Sequence, residues 1–443
     1  MNTRKTTTQF TPARACFALL AALCFASLSA QAQLVIEITK GEANATPVAI
    51  VPFATNGVPV ELDVAAVVDA DLTRSGRFAP IDRADMLARP SSGTEVDFGD
   101  WRLLGVDAIV VGRLARGNED TVQIEFEVFD VVRAQQLLAY RIVAERAQLR
   151  TAAHLVADQV YEALTGTAGV FATRIAYITK DGGPGSERYR LFVADADGEN
   201  ALAVFDSPAP IMSPSWSPAG HRLAFVSFQD DRSAIYVQEL ATGEQTRVSS
   251  RQGVNSAPAW SPDGNKLALA LSDGNGDLDI HVLNVATQEL QQVTRSRGID
   301  TEPVWSRDGR TLYFTSDRAG GPQIYRADVY SGKTERVTFE GAYNARPRLS
   351  PDESRLAMVH NDGGNYRIAV LDLRSRALQV LTDGRLDESP SFAPNGSMII
   401  YATQDEGAGV LAAVAVDGSV QQRLASQGRD VREPVWGPLA ARR

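Results

Sequence analysis

The side chains that most often carry chemistry are thinly spread through this 443-residue chain. Its four histidines, His154, His221, His281 and His360, stand far apart, so the spacing does not describe a histidine-based zinc centre. Asp273-Gly-Asn-Gly-Asp-Leu-Asp279 has the outline of a calcium loop but lacks the spaced glutamate, and an ordinary turn is the plainer reading. Ser331-Gly-Lys-Thr334 matches the end of a phosphate loop, yet Ala327 occupies the place of that loop's first glycine and no helical pattern follows. A Gly-x-Ser-x-Gly nucleophile elbow is absent. What remains is a set of acids and arginines in the second half. Asp300, Glu302, Asp387, Glu388, Asp430 and Glu433 face a complement of Arg346, Arg385, Arg429 and Arg432. Brought together, such groups can grip a polar peptide, hold a hard cation such as calcium, or simply pair with one another. Which of these applies depends on the elements that carry them.

The chain has 44 Lys+Arg against 54 Asp+Glu, a formal charge of -10, which makes nucleic acid and anionic lipid surfaces poor partners. Residues 1–32 read as a signal peptide: Arg4, Lys5 and Arg14 are basic, 15–30 is a short apolar run, and Ala30-Gln31-Ala32 supplies a small-x-small cleavage site. Removing three basic residues and no acid takes the charge from -10 to -13. Both cysteines, Cys16 and Cys24, lie in this leader, so the exported chain has no disulfide and depends on packing. Leu23 stands before Cys24 where lipid attachment calls for a small residue, which argues against an acyl anchor. No later stretch reaches the ~18 apolar residues of a spanning helix, so the exported chain is expected to be soluble.

Residues 33–166 alternate between strand and helix patterns. Val48-Ala-Ile-Val-Pro-Phe53 reads as a buried strand; Val64, Val67, Val68 and Leu72 follow at helical spacing, with Gly76 near a C-terminal cap. Further strands are expected over 107–112, 122–128 and 137–143, the middle one alternating as a half-wet strand does. Leu149, Ala152, Ala153, Val156, Val160 and Leu164 form the stripe of a last helix. This is an α/β domain with its own core.

From residue 170 to 443 a repeat replaces the helical period. Anchors at Trp216, Trp260, Trp305, Leu349, Phe392 and Trp436 are spaced 44, 45, 44, 43 and 44 apart, each with proline two places earlier. Tight turns such as Ser261-Pro-Asp-Gly264 follow most of them, then three more short strands. Four strands in ~44 residues make one propeller blade. The first unit, from Arg174-Ile-Ala-Tyr177, has no anchor ahead of it, and Trp436 has no unit behind it. The strand around Trp436 therefore completes the first unit and closes a six-bladed β-propeller, because a linear array would leave an unpaired edge.

Loops entering the anchor strands converge on one end of the channel, and their polar residues either bind a partner or simply face water. The expected binding set is Asn255, Ser256, Ala257, Asp300, Thr301, Glu302, Tyr343, Asn344, Arg346, Asp387, Glu388, Arg432 and Glu433. Ahead of the α/β domain, Gln33, Leu34, Val35, Ile36, Glu37 and Ile38 form a strand-like segment that could extend a partner's sheet or pack on its own domain. The chemical alternative to a binding scaffold is an exported hydrolase, a lactonase or esterase, using channel acids around a metal.

Together, the leader, Val48-Ala-Ile-Val-Pro-Phe53, Leu104-Gly-Val-Asp-Ala-Ile-Val-Val-Gly112, Leu164-Thr-Gly166, Arg174-Ile-Ala-Tyr177, the repeated Pro-x-Trp-Ser-Pro-Asp-Gly and the closing Glu433-Pro-Val-Trp436 resemble the TolB family, the periplasmic propeller component of the Tol-Pal system. The resemblance spans essentially the whole exported chain. It implies a non-enzymatic, monomeric periplasmic protein without a cofactor. Such proteins bind the peptidoglycan-associated lipoprotein Pal at the channel mouth and engage TolA through the N-terminal region, here 33–41. They support outer-membrane constriction at division and outer-membrane integrity, meeting that membrane only through partners. Asn255, Ala257, Thr301 and Glu302 are the positions carried over by resemblance; Val254 stands where some relatives have histidine.

Overall fold

Val48, Ala49 and Ile50 are fully buried on both sides of the strand they form, as an uninterrupted apolar run requires. The structure, a computed structural model, describes residues 34–40, 45–118, 120–272, 276–426 and 430–439. The leader, Gln33, the 273–275 part of the calcium-like loop and Arg429 lie outside the described residues. Six strands precede the propeller. They are β1 (Leu34–Lys40), β2 (Thr46–Ile50), β3 (Phe78–Pro80), β4 (Ala108–Arg116), β5 (Thr121–Asp130) and β6 (Gln135–Glu145). The last five form one sheet in the order β3-β2-β4-β5-β6, parallel from β3 through β4 and antiparallel thereafter.

Two helices, α1 (Val64–Arg74) and the longer Leu149–Thr165, cover one face of this sheet. Their apolar stripes (Val64, Val68, Leu72; Ala153, Val156, Val160) meet Ile50, Val110, Ile124 and Phe126 in one core. Between them α2 (Phe98–Leu103) brings Trp101 against Ala49, Ile109 and Val111 on the opposite face; the long helix is therefore α3. Asp63 caps α1 through the Ala66 N–H at 3.0 Å, and α3 stops at Gly166, whose φ of +74° is the left-handed cap conformation.

Six antiparallel sheets make the propeller. Blade 1 pairs the closing strand Asp430–Trp436 with Arg174–Asp181, Arg188–Asp195 and Leu202–Ser207, with Trp436 opposite Ile175. The innermost strands of blades 2 to 6 are Ile211–Trp216, Asn255–Trp260, Asp300–Trp305, Asn344–Leu349 and Glu388–Phe392. Apolar cores lie between blades as the anchors require: Trp305 packs with Ala268 and Val282 of blade 3 and Phe314 of blade 4. Trp216 donates its indole N–H to Val435 O at 3.2 Å, and Trp305 donates to Ala259 O at 3.0 Å, each reaching the preceding blade. Arg222 lies 4.7 Å above the Trp260 ring, a cation–π contact across the same kind of boundary. The Ser261-Pro-Asp-Gly264 turn closes with the Gly264 N–H on Ser261 O at 2.9 Å, glycine taking the φ of +71°.

The α/β domain packs on blades 6 and 1. Gly76 approaches blade 6 so closely that a Cβ there would lie 2.6 Å from Val420 Cγ1. A buried ionic cluster joins the domain to blade 1. His154 Nδ1 lies 2.6 Å from Asp71 Oδ2, and its Nε2 lies 3.6 Å from Asp197 Oδ2, while Arg150 also pairs with Asp197. The connection itself is pinned by Asp158, which accepts the Phe171 and Ala172 N–H groups at 2.7 and 3.3 Å.

Two outcomes follow. Trp305→Ala is expected to cost about 3–5 kcal/mol in urea unfolding, while Trp305→Phe restores most of it and forfeits about 1 kcal/mol for the indole hydrogen bond. Burial pushes the Asp158 carboxyl from 3.8 up to about 7, against the pull of its two N–H partners. The folded chain therefore keeps this proton across that window, and stability falls as the pH rises through it. Unfolding midpoints at about pH 5 and about pH 8 should show this loss, and Asp158→Asn should flatten it.

Candidate functional site: the channel mouth

Every innermost strand carries the same irregularity just before its proline. In blade 4, Thr301 pairs with Thr315 and Val304 with Tyr313, so two residues of the inner strand oppose one of its neighbour. This is a β-bulge, which re-aims a side chain. Its first residue is left-handed in all six blades: Ser213, Ala257, Glu302, Arg346, Ser389 and Glu433 have φ between 49° and 56°. Together they form a ring around the channel, one residue per blade, bordering a cavity of about 270 Å³.

Arg346 is the centre of the ring. Its Nε lies 2.8 Å from Glu302 Oε1, its Nη2 3.7 Å from Glu433 Oε1, and its Nη1 meets Ser389 Oγ. The other oxygen of Glu302 accepts the Arg346 N–H and the Thr315 hydroxyl, both at 3.0 Å, and Glu433 Oε2 accepts the Ser213 N–H. Blades 1, 4, 5 and 6 are thus tied through one guanidinium, and blade 2 joins them through Glu433. Burial works against the charge on Arg346, but Glu302, Glu433 and Glu388 outweigh it and raise its pKa above the usual arginine range. Nearby Arg348, which the sequence reading passed over, also lines the channel; burial lowers its pKa.

The expected binding residues divide into three groups. Asn255, Asp300 and Asn344 are fully buried and Asp387 nearly so, which corrects the expectation that these four line an open rim. Asn255 accepts from Ser249 Oγ at 2.7 Å, Asp300 pairs with Arg318 at 2.6 Å, Asn344 donates to Gln323, and Asp387 accepts the Thr382 and Thr403 hydroxyls. They brace the loops from behind. Ser256, Thr301, Tyr343 and Glu388 are partly accessible and Arg432 is exposed, with Arg432 paired to Asp430. Glu302, Arg346 and Glu433 are the charged members of the ring, and Ala257 is one of its three small ones.

The mouth also has an apolar side. Met212, Val254 and Ile299 are 40%, 44% and 48% exposed, a crescent across blades 2 to 4. The signal was present in the repeat: the place six residues before the anchor holds Val254, Ile299, Tyr343 and Leu386 in four successive blades.

The other candidates take structural roles. Ser331-Gly-Lys-Thr334 is a blade 4 turn held by Asp328, whose Oδ1 accepts the Ser331 N–H and hydroxyl, both at 2.8 Å. Asp279 sits in a strand and accepts the Ser296 N–H at 3.1 Å. Asp71, His154 and Asp197 offer ligand atoms within 4.8 Å of one another, but Arg74 and Arg150 already hold those carboxylates. The N-terminal segment has left the α/β domain: β1 lies antiparallel to Gln421–Ser426 as a fifth strand on blade 6, with Ile38 opposite Gln422 and Lys40 Nζ 2.7 Å from Gly418 O.

The fold and this mouth define a six-bladed propeller protein with a fused α/β domain. Residues 161–440 match the family described as TolB beta propeller domain, and 34–137 match the TolB amino-terminal domain. Two curated relatives are each named Tol-Pal system protein TolB. That of Xanthomonas oryzae pv. oryzae (strain MAFF 311018) is 46% identical over 420 residues, 94% of this chain and 95% of its own. That of Xanthomonas campestris pv. campestris (strain B100) is 47% identical over 432 residues, 96% of this chain and 98% of its own. The crystal structure of TolB from Acinetobacter baumannii matches with a TM-score of 0.86 at 38% identity, covering 92% of this chain and 100% of that one. The chain belongs to the TolB family of Tol-Pal system propeller proteins. Among the described residues, no helix is long and apolar enough to cross a membrane.

Removing the central cation should be costly. Arg346→Met leaves two carboxylates facing each other, and because the side chain is a quarter exposed the expected loss is about 2–3 kcal/mol. Adding Glu302→Gln and Glu433→Gln should recover most of that loss in the same unfolding measurement.

Proposed function

We propose that this protein is a non-enzymatic periplasmic scaffold whose channel mouth binds the lipoprotein Pal and whose N-terminal region engages TolA, supporting outer-membrane invagination at division and outer-membrane integrity. The observation that carries the reading is the mouth itself: an apolar crescent beside a braced, charged ring. That combination suits a protein loop with both apolar and polar side chains. Thr301 and Glu302 lie where the two regions meet. The strand that closes the ring offers a route to the far end, since Glu433 borders the channel and Trp436 lines both the channel cavity and the cavity beside the α/β domain. On this reading β1, held by one edge of blade 6, is the segment that reports occupancy.

No cofactor is needed. The guanidinium of Arg346 already sits between Glu302 and Glu433, where a cation would otherwise neutralise them, and a hydrolase would need one of those carboxylates unpaired.

Pull-down of Pal by the exported chain tests the reading. Capture is expected with wild type, is lost with Thr301→Arg plus Glu302→Arg, falls at least tenfold with Val254→Asp plus Ile299→Asp, and is unchanged by a chelator. Failure to capture Pal, capture that ignores both double variants, or turnover of lactones or esters would overturn it.

A further inference from the structure

β6 is the outermost strand of the α/β sheet: among the described residues it pairs with β5 alone, and its other edge is free. Exposed edges are usually guarded by proline, lysine or short length, because a row of unpaired N–H and C=O groups is a template for another strand. Gln135–Glu145 is long, has no proline or lysine, and carries only Arg141 and Glu145 as charges. Its one irregularity is a bulge at Leu137, since Val128 pairs with Leu138 and Phe129 with Gln136. From Leu138 to Glu145 the pairing is regular, and Ala139, Tyr140, Arg141 and Val143 are exposed.

The charges on the solvent face of this edge complement one another across a two-fold axis. Arg141 lies opposite Glu125 on β5, but Glu125 pairs with Arg113 at 2.6 Å, and Arg141 forms no ion pair among the described residues. Glu127 lies opposite Ala139; it accepts the Gly93 N–H at 3.1 Å and Gln136 Nε2 at 3.0 Å and meets no cation. An identical strand added antiparallel about an axis at Tyr140 sets Arg141 opposite Ala139 of the second copy and in line with that copy's Glu127. Ala139 has no side chain beyond Cβ, and the groove of about 380 Å³ that it lines with Arg113, Glu125 and Glu127 leaves the guanidinium a path. Leu138 then meets Ile142 on the other face, so the apolar layer continues across the seam. Other registers fit worse. An axis at Arg141 opposes two guanidiniums, one at Ile142 puts Glu145 in line with Glu127 of the second copy, and one at Ala139 sets Arg141 against the bulge.

We propose that β6 is a self-association edge: a second copy of this chain adds antiparallel through β6, centred on Tyr140, and joins two α/β sheets into one continuous sheet. Such a contact is closed by its own two-fold symmetry and stops at the dimer. It departs from the monomer that the family resemblance implies, and it does not depend on the Pal reading, because the channel mouth takes no part in it.

Sedimentation equilibrium of the exported chain tests the proposal. One strand pair is a small contact, so a weak, reversible monomer–dimer equilibrium is expected. Ala139→Arg sets a guanidinium against Arg141 of the second copy and should weaken association at least tenfold. Arg141→Glu, which faces Glu127 across the seam, should do the same. Combining the two sets opposite charges against each other and should restore association, a recovery that damage to the fold would not give. No cysteine follows Cys24, so Tyr140→Cys supplies the only thiol of the exported chain. It should form disulfide-linked dimers under mild oxidation, whereas Val143→Cys, held far from its own copy in this register, should not. A monomer at every concentration, a double variant as weak as either single one, or crosslinking by Val143→Cys as readily as by Tyr140→Cys would overturn the proposal. Pal capture is read separately, so either result can fail without the other.

Discussion

The pairing of Asp430–Trp436 with Arg174–Asp181 holds the two ends of the propeller in one sheet, and nearly everything else in the molecule depends on it. A blade has two apolar faces and cannot hide either alone, so its stability comes from neighbours on both sides. Closure gives every blade two neighbours. It also explains why the anchors are large: Trp216, Trp260 and Trp305 are each at most 8% exposed and sit where adjacent sheets diverge. With no cysteine after Cys24, this packing does without disulfides between the blades.

Closure also imposes a shared geometry on the channel. Six bulges at equivalent places turn six side chains inward, and the identity of each decides what the channel becomes. Here three are charged and three are small. Two carboxylates around one guanidinium make a cross-linked floor, while the apolar residues of blades 2 to 4 stay on the outside. The buried Asn255, Asp300, Asn344 and Asp387 hold the loops above that floor through hydrogen bonds that leave little freedom. The buried polar groups behind the mouth are spent on one another.

The junction with the α/β domain is built differently. It combines a polar cluster, Asp71, His154, Arg150 and Asp197, with a recess whose walls come from both domains. The two kinds of contact respond differently to change. Ion pairs between bodies are directional and fix their angle, whereas apolar contact is non-directional and scales with the area buried. Because β1 adds to the blade that forms one wall, residues 34–40 are attached to the same region that joins the domains.

The repeat, the turns and the closure are legible in the residues alone. Proline, tryptophan and the Ser-Pro-Asp-Gly turn each impose a local backbone demand, and a 44-residue period repeats it. The alternation of Val122, Ile124, Phe126 and Val128 likewise foretold the buried face of β5, since side chains on a strand must alternate. Tertiary structure alone decided which loop acids face solvent. Asp300 and Glu302 are two residues apart and chemically alike, yet one is fully buried on Arg318 and the other borders the channel, because Glu302 is the first residue of a bulge. The docking of β1 on blade 6 was equally invisible, since the strand-like segment could satisfy its backbone on any free edge, and only the assembled ring shows which edge lay within reach.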